Sequence, residues 1–399
     1  MATTNPTPAL TLAHTEHTSL LVSLAPQAQE AFDPALTRLA AAFAGESVLV
    51  ATPDSLSAHA DSHGLEVVSY TPSVPSPGGW TLTAADFVNA HQLNQRHRGG
   101  AILQLGAEAH SLQPAALRAL ADAVVEGGAD LAVPHYALPA SSGLVNSAIL
   151  YPVSRALFGS HARFPLAIDL CLSPRMAERL ATIAQRYNTA NQPEALIWPV
   201  AEAAVAGYKI AEVPAGPRTI PHPDAPDFNS LLAVVTASLF TDVDSKAAFW
   251  QRARIAVPSP LSLVPAAPAF TPDQVAPMLE AFQLAYGNLH EIWSLVLPPQ
   301  SLLGLKHISI LPADRFRMPD PLWARIVYDF LLAFRLRTIN RGHLLGALTP
   351  LYLAWVASHI LLSASGTEPE QHVEAAAAAF EADKAYLVSR WRWPDRFNP

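Results

Sequence analysis

Short apolar runs alternate with helix-forming stretches over the first half of the chain, and this alternation limits the folds open to it. Five runs have the length and composition of buried strands: Ser19–Leu24, Ser47–Ala51, Leu65–Tyr70, Ala101–Leu105 and Asp130–Pro134. Helical stretches lie between them at Ala28–Ala44, Leu82–Arg98 and Pro114–Glu126. This order predicts an α/β fold, with a mainly parallel sheet and helices on both faces. The ligand site of such a sheet is expected beyond the carboxyl ends of its strands.

The pattern changes twice further along the chain. Helices at Ser147–Phe158, Pro174–Tyr187 and Ala195–Gly207 first mix with an apolar run, Phe164–Leu172, and a short strand, Lys209–Pro214. The chain then becomes all-helical, with helices predicted at Asn229–Arg252, Asp273–Val296, Pro321–Arg337, Arg341–Leu362 and Glu368–Trp391. We therefore predict a flexible N-terminus at 1–18, a ligand-binding domain at 19–227 and a helical C-terminal domain at 228–399. A proline-rich linker is expected at about 257–272.

One helical segment is apolar enough to raise a second interpretation. Leu344–Ser363 has no Asp, Glu, Lys or Arg and is about as long as the roughly 20 residues of a membrane span. Its Pro350 and His359, together with the neighbouring amphipathic helices, favour a packed central helix over a membrane anchor.

Composition excludes several classes of protein. The 399 residues are 50% hydrophobic and 15% charged, which is typical of a folded soluble protein. The net charge of −8 leaves no basic surface for nucleic acid. Cys171 is the only cysteine, so no intrachain disulfide can form. The first residues lack the apolar core of a signal peptide, and we expect a cytoplasmic protein.

No strong catalytic motif is present, so the candidate residues are single acids and histidines. The sequence contains no dinucleotide fingerprint, Walker loop, nucleophile elbow or zinc-protease motif. Glu108 follows the strand Ala101–Leu105, where an acid could hold a divalent cation or simply cap a turn. Asp169 interrupts an apolar run, so it needs a partner, and Arg163 is one candidate. His222 is either a metal ligand or an exposed loop residue, and Asn146 is most simply a helix N-cap.

The order of several motifs resembles one glycosyltransferase family. Residues 126–173 contain an Asn, a Tyr-Pro-x-x-Arg-Ala-Leu helix, an Arg-x-Pro and an Asp, here Asn146, Tyr151 to Leu157, Arg163 to Pro165 and Asp169. The segment Ala206–Asp227 is similar to the stretch that leads to that family's metal-binding histidine. Helices near 319–391 also look like its C-terminal region. The family comprises GT-A-fold (Rossmann-like) glycosyltransferases related to mannosylglycerate and glucosylglycerate synthases.

The resemblance implies transfer of a sugar from a nucleotide-diphosphate donor to a small acceptor such as glycerate. Mg²⁺ or Mn²⁺ would stabilise the diphosphate leaving group. In this chain the resemblance assigns the metal to Glu108 and His222, the donor nucleotide to Asp54 and Glu108, and the acceptor to Asn146 and Arg163. Asp169 and Glu194 are its candidate catalytic acids. Membrane association is not expected, and a homodimer is compatible with the resemblance.

Several positions depart from the family pattern. Gly106 stands where the first acid of the Asp-x-Asp motif is expected, so only Glu108 remains. Leu196 replaces another acid, which leaves Glu194 as the nearest carboxylate. The donor loop near Ser76–Asp86 has no lysine. The sequence therefore supports two hypotheses, an atypical sugar transferase and a catalytically inactive relative that binds a ligand or acts as a scaffold.

Overall fold

The chain forms one mixed sheet surrounded by helices. The computed structural model describes residues 19–26, 29–53, 63–76, 79–139, 142–220, 228–253 and 275–394. The strands are Leu20–Leu24 (β1), Val48–Pro53 (β2), Glu66–Tyr70 (β3), Ala101–Leu105 (β4), Leu131–Tyr136 (β5), Asp169–Leu172 (β6) and Ile210–Gly216 (β7). Their order is β3-β2-β1-β4-β6-β5-β7. Only β6 is antiparallel to its neighbours within this sheet, so the predicted α/β fold is confirmed. The predicted N-terminus 1–18 and linker 257–272 lie outside the described residues.

Helices cover both faces of the sheet, as the continuous apolar strands require. They are Gln29–Ala42 (α1), Ala84–His97 (α2), Pro114–Val125 (α3), Tyr151–Phe158 (α4), Pro174–Thr189 (α5) and Pro199–Ala206 (α6). Side chains of α1 and α3 pack in one core with β1 and β4. Those of α2, α5 and α6 form a second core with β5 and β6.

The antiparallel direction of β6 decides where the polar residues of this sheet meet. Asp169 is the first residue of β6 and pairs with Leu105, the last residue of β4. The strands β5 and β7 are parallel to each other and end together, with Tyr136 opposite Gly216. The start of β6 therefore lies at the same edge as the ends of β4, β5 and β7.

The remaining described chain is helical, as predicted. Its helices are Phe228–Ser245 (α7), Ala247–Trp250 (α8), Val275–Asn288 (α9), His290–Val296 (α10), Pro299–Ser309 (α11), Asp320–Leu336 (α12), Arg341–Ala364 (α13), Pro369–Ala382 (α14) and Lys384–Arg392 (α15). Helix α11 was not predicted. Four tryptophans, Trp250, Trp293, Trp323 and Trp355, are fully buried in this region. Each large side chain removed from water in this way contributes on the order of 1.5–3 kcal/mol.

Helix α13 contains the apolar segment that raised the membrane interpretation. Over its 24 residues an 18-residue window has a mean hydropathy of 1.6, and 78% of that window is buried inside the protein. It contacts α7, α9 and α12. A helix with this length and composition can cross a membrane or form the core of a helical bundle, and here it packs as the predicted central helix.

The helical region is joined to the sheet through α4 and α14. Arg155 of α4 forms ion pairs with Glu374 and Glu381 of α14, and its side chain is 5% exposed. The Tyr151 hydroxyl donates to Glu374 Oε1 at 2.7 Å. Trp323 of α12 donates its indole N–H to the carbonyl of Ala148 at 2.8 Å. These contacts place α14 beside the strand ends where a ligand site is expected.

Candidate binding site

A buried ion pair joins the converging strand ends. The Arg218 Nε donates to Asp169 Oδ2 at 2.8 Å and its Nη2 donates to Oδ1 at 3.2 Å. Both side chains are 0% exposed. Asp169 also accepts the Tyr136 hydroxyl at 2.7 Å and the backbone N–H of Gly106 at 3.1 Å. Burial alone disfavours the charged guanidinium, but the Asp169 carboxylate outweighs it and raises the pKa of Arg218 above its ordinary value.

The same guanidinium also binds the loop after β4, residues 106–111, which we name the β4 turn. Arg218 Nη2 donates to the carbonyl of Ala107 at 2.6 Å, and Nη1 donates to the carbonyl of Glu108 and to Ser111 Oγ. Nη1 also reaches the carbonyl of Thr219 at 3.0 Å. All five N–H groups of an arginine have acceptors here. Arg218 is therefore a fixed positive charge that holds the β4 turn in place.

The β4 turn directs the Glu108 side chain away from this ion pair. Glu108 has a left-handed backbone, with φ 62°. Its carboxylate lies 3.6 Å from His110 Nε2 and is 37% exposed. Among the described residues no group of three or more His, Cys, Asp or Glu side chains could hold a metal ion. Asp54 and His222 lie outside the described residues, so the predicted ligand set stays a prediction.

The described residues do not by themselves fit a divalent cation. Hard cations need several oxygen ligands. The Asp169 carboxylate is committed to Arg218, Tyr136 and Gly106. A cation next to these oxygens would also lie beside the guanidinium and be repelled by it.

The structure corrects two predictions made from the sequence. Arg163 is not the partner of Asp169, because Asp169 pairs with Arg218, 49 residues later in the chain. Asn146 is not a helix N-cap. It lies inside a π-helical turn, Asn146–Leu150, and its Nδ2 donates to the carbonyl of Arg163 at 2.8 Å. The two predicted acceptor residues, Asn146 and Arg163, are thus adjacent in the structure.

Arg163 lies in a buried polar cluster between the sheet edge and α14. Its Nε and Nη2 donate to Glu370 at 2.6 and 3.0 Å, and Nη2 also donates to Ser147 Oγ at 3.0 Å. The guanidinium lies over the rings of Tyr151 and Phe164 at 5.0 and 5.2 Å. These contacts fix the direction of the side chain, which is 5% exposed.

A cavity of about 40 Å³ adjoins this cluster. Its polar lining residues are His135, Tyr136, Ser142, Ser147, Arg163, His359 and Glu370, and we name it the Arg163 cavity. Because a bound water needs about 10–15 Å³, this volume accommodates a group the size of a carboxylate or a phosphate and excludes a sugar nucleotide. Arg163 Nη1 is buried and has no hydrogen-bond partner among the described residues, which leaves a charged donor for such a group.

Glu194, the second candidate catalytic acid, lies on an exposed turn that follows α5. Its carboxylate forms no hydrogen bond or ion pair within the described part of the chain. Glu194 therefore contacts neither Asp169 nor another charged side chain among the described residues. The catalytic role of Glu194 stays a prediction.

The pH dependence of stability should report on His359 in the wall of the Arg163 cavity. Burial, with His372 and Arg163 nearby, lowers the pKa of His359 to about 3. Below pH 6.5 His359 binds a proton in the unfolded chain but not in the folded chain. The stability that the neutral His359 contributes is therefore complete above pH 6.5 and is lost as the pH falls toward 3. Between pH 7 and pH 5 we expect a loss of about 2 kcal/mol. Urea unfolding of the wild type and of His359→Gln at both pH values measures it as the difference between the two proteins, because the raised pKa values of Asp242 and Asp329 change the stability of both in the opposite direction. The same pH dependence in both proteins would contradict the assignment.

Comparisons with known proteins give structural neighbours only. No protein-family model matches the sequence, and no curated protein matches it. Glucosyl-3-phosphoglycerate synthase from Mycobacterium tuberculosis, in complex with Mn²⁺, uridine diphosphate and glucosyl-3-phosphoglycerate, is 16% identical with a TM-score of 0.36, over 60% of this chain and 86% of that one. Mannosyl-3-phosphoglycerate synthase from Rubrobacter xylanophilus is 17% identical with a TM-score of 0.41, over 60% and 79%.

These neighbours are synthases of the group that the sequence resembles, and both are GT-A-fold glycosyltransferases. At this identity and TM-score the similarity assigns neither a substrate nor an activity to the chain.

Proposed function

We propose that this chain is a catalytically inactive relative of nucleotide-sugar glycosyltransferases that binds a small anionic molecule at the Arg163 cavity. The ion pair of Arg218 with Asp169 is the observation that carries this proposal. Arg218 occupies the Asp169 carboxylate, which accepts the N–H of Gly106 at the start of the β4 turn, and it also binds the carbonyls of Ala107 and Glu108. A metal at this turn could use Asp169 as a second ligand beside Glu108 only if the ion pair broke.

Breaking that ion pair would be costly. Both partners are fully buried, and separating a buried pair leaves an uncompensated charge, which typically costs about 3–5 kcal/mol. A metal that recruited Asp169 would have to supply this energy, and the exposed carboxylate of Glu108 alone holds a hard cation poorly. The β4 turn is therefore better suited to a structural role than to a catalytic one.

The Arg163 cavity, unlike the β4 turn, is suited to binding a ligand. Arg163 is buried and held by Glu370 and Ser147, yet one of its terminal nitrogens retains unused donors. A guanidinium held in one orientation recognises carboxylate and phosphate oxygens without a further loss of side-chain freedom. We therefore assign a small carboxylate or phosphate ester as the ligand, with Arg163 as the residue that binds it.

Calorimetric titration with phosphoglyceric acid, a ligand named in neighbouring structures, tests the binding. Arg163→Met keeps the length of the side chain but removes its charge, and we expect the affinity to fall about 10- to 100-fold, the equivalent of one charge-assisted hydrogen bond. Arg175→Met is the matched control. Arg175 pairs with Asp130 outside the cavity and is 62% exposed, so its removal should leave binding unchanged. Absence of binding to the wild type would contradict the proposal.

A transfer assay tests the inactivity. Uridine diphosphate-glucose, Mn²⁺ and phosphoglyceric acid are incubated with the protein, and we expect no release of uridine diphosphate above background. Release that disappears in Glu108→Ala would overturn the proposal and establish an active transferase with a metal at Glu108. A cytoplasmic location and assembly as a homodimer stay predictions from the sequence.

A further inference from the structure

An open groove of about 710 Å³ runs along helix α15. One face of that helix, with Lys384, Val388 and Arg392 at four-residue intervals, forms part of its lining. The rest comes from Gln251 and Ala253, which follow α8, and from the last turn of α14. We name it the α15 groove. Its volume is in the range of roughly 300–1,000 Å³ that small-molecule sites occupy in proteins.

Lys384 has an unused hydrogen-bond donor in this groove. The residue is 7% exposed, and its Nζ donates to the carbonyls of Ala253 at 3.1 Å and Leu157 at 3.5 Å. An ammonium group has three N–H donors, so one has no acceptor within the described structure. Burial lowers the pKa of Lys384 below its ordinary value, which is the expected effect on an ammonium group that lacks a paired carboxylate.

Glu381 has the complementary unused group. Its Oε2 accepts from Arg155 Nη2 at 3.0 Å, while Oε1 is buried and has no hydrogen-bond partner among the described residues. Glu381 also lines the groove, three residues before Lys384. A buried carboxylate oxygen without a donor is costly, so this oxygen is suited to a positively charged donor.

The two unused groups do not satisfy each other. Glu381 offsets part of the effect of burial on the pKa of Lys384, yet the described side chains form no ion pair between them. The charges at this end of the groove are already balanced, because Arg155 binds two carboxylates, those of Glu374 and Glu381. Arg392 is exposed and lies two turns further along α15. A ligand with one charge of each sign therefore fits here better than an ion with a single charge.

The rest of the lining is largely apolar. Ala253, Ala382, Ala385 and Val388 contribute hydrocarbon surface, and Trp393, which is 59% exposed, adds an indole ring. An aromatic or branched aliphatic group of a ligand would remove part of this surface from water. The α15 groove thus combines one donor, one acceptor and an apolar wall.

We propose that the α15 groove binds an α-amino acid with an apolar side chain. Lys384 donates to its carboxylate, Glu381 accepts from its ammonium group, and its side chain lies against Val388 and Trp393. The groove shares no lining residue with the Arg163 cavity, so this inference is independent of the proposed function.

L-phenylalanine is the probe for the test, and two analogues each lack one of its charges. 3-Phenylpropionate lacks the ammonium group, and phenethylamine lacks the carboxylate. In calorimetric titrations of the full chain at neutral pH, we expect each analogue to bind about 10- to 100-fold more weakly than phenylalanine, the equivalent of one charge-assisted hydrogen bond. Absence of phenylalanine binding to the wild type would overturn the inference, as would phenylpropionate binding as tightly as phenylalanine.

Two glutamate variants assign the ammonium group of the ligand. Glu381→Gln keeps a hydrogen-bond acceptor but loses the charge, so phenylalanine should bind about tenfold more weakly and phenylpropionate should bind as before. Glu374→Gln is the matched control, since Glu374 binds the same Arg155 but is not part of the groove lining. An equal loss of phenylalanine affinity in both variants would contradict the assignment.

Two lysine variants assign the carboxylate. Lys384→Met should weaken the binding of phenylalanine and phenylpropionate about 10- to 100-fold and leave phenethylamine unchanged. Lys306→Met, in the exposed part of α11, is the matched control and should bind all three ligands like the wild type. Unchanged phenylalanine affinity in a folded Lys384→Met would overturn the inference. The comparison of the three ligands on the wild type decides the matter if a variant does not fold.

Discussion

Replacement of Arg218 by methionine is expected to lower the free energy of unfolding by about 3–5 kcal/mol. The substitution leaves the fully buried Asp169 carboxylate with only the Tyr136 hydroxyl and the Gly106 N–H as partners. It also removes the hydrogen bonds that hold the β4 turn. Chemical denaturation at neutral pH measures the change.

Two further variants separate the effect of burial from the loss of an arginine. Arg118 also pairs with carboxylates, Glu46 and Asp122, but all three side chains are at least 36% exposed, so Arg118→Met should cost no more than about 1 kcal/mol. The double variant Arg218→Met with Asp169→Asn removes the stranded charge and should recover part of the loss. A cost below about 1 kcal/mol for Arg218→Met would contradict the view that this ion pair stabilises the sheet edge.

Most of the fold could be predicted from the pattern of apolar strands and helices. The predicted run Ala101–Leu105 is β4 with the same bounds, and the helix predicted at Pro114–Glu126 ends one residue earlier, at Val125. These elements are predictable because buried strands and amphipathic helices have local periodicities. The helix α11, Pro299–Ser309, was missed. Its Gly304 weakens the local helical signal, because glycine has a low helix propensity.

The contacts of the site were harder to predict from the sequence, because they join residues that are far apart in the chain. Asp169 was expected to need a partner, but nothing local indicates Arg218, which reaches it because β7 ends at the same edge of the sheet as the start of β6, with only β5 between the two strands. Glu370 lies 207 residues from its partner Arg163. The one available signal was the presence of single charged residues in otherwise apolar segments, which predicts that a partner exists without identifying it.

The role of Gly106 also changes once the backbone around it is known. In the sequence it stands where the resemblance predicts the first acid of a metal motif. In the structure a Cβ at this position would lie 2.7 Å from the carbonyl oxygen of Ile168, closer than van der Waals contact allows. The glycine is therefore required by the close approach of the β4 turn to the start of β6.

Substitution of Gly106 by alanine is accordingly expected to destabilise the protein by about 1–3 kcal/mol, the usual cost of overpacking. Gly106→Asp should cost more and should not create a metal site, because its carboxylate would be added beside the buried charge of Asp169. Urea unfolding and a Mn²⁺ titration measure the two effects.

Gly346→Ala provides the control for these glycine substitutions. Gly346 lies within α13, where an added Cβ meets nothing within 4 Å, and alanine there should stabilise the helix by about 0.5–1 kcal/mol. Opposite signs for the two alanine variants would show that the cost at Gly106 comes from its close backbone contact. Unchanged stability of Gly106→Ala would instead mean that the turn can rearrange to accept a side chain. Tight Mn²⁺ binding by Gly106→Asp would mean that the missing carboxylate alone prevents metal binding at this turn.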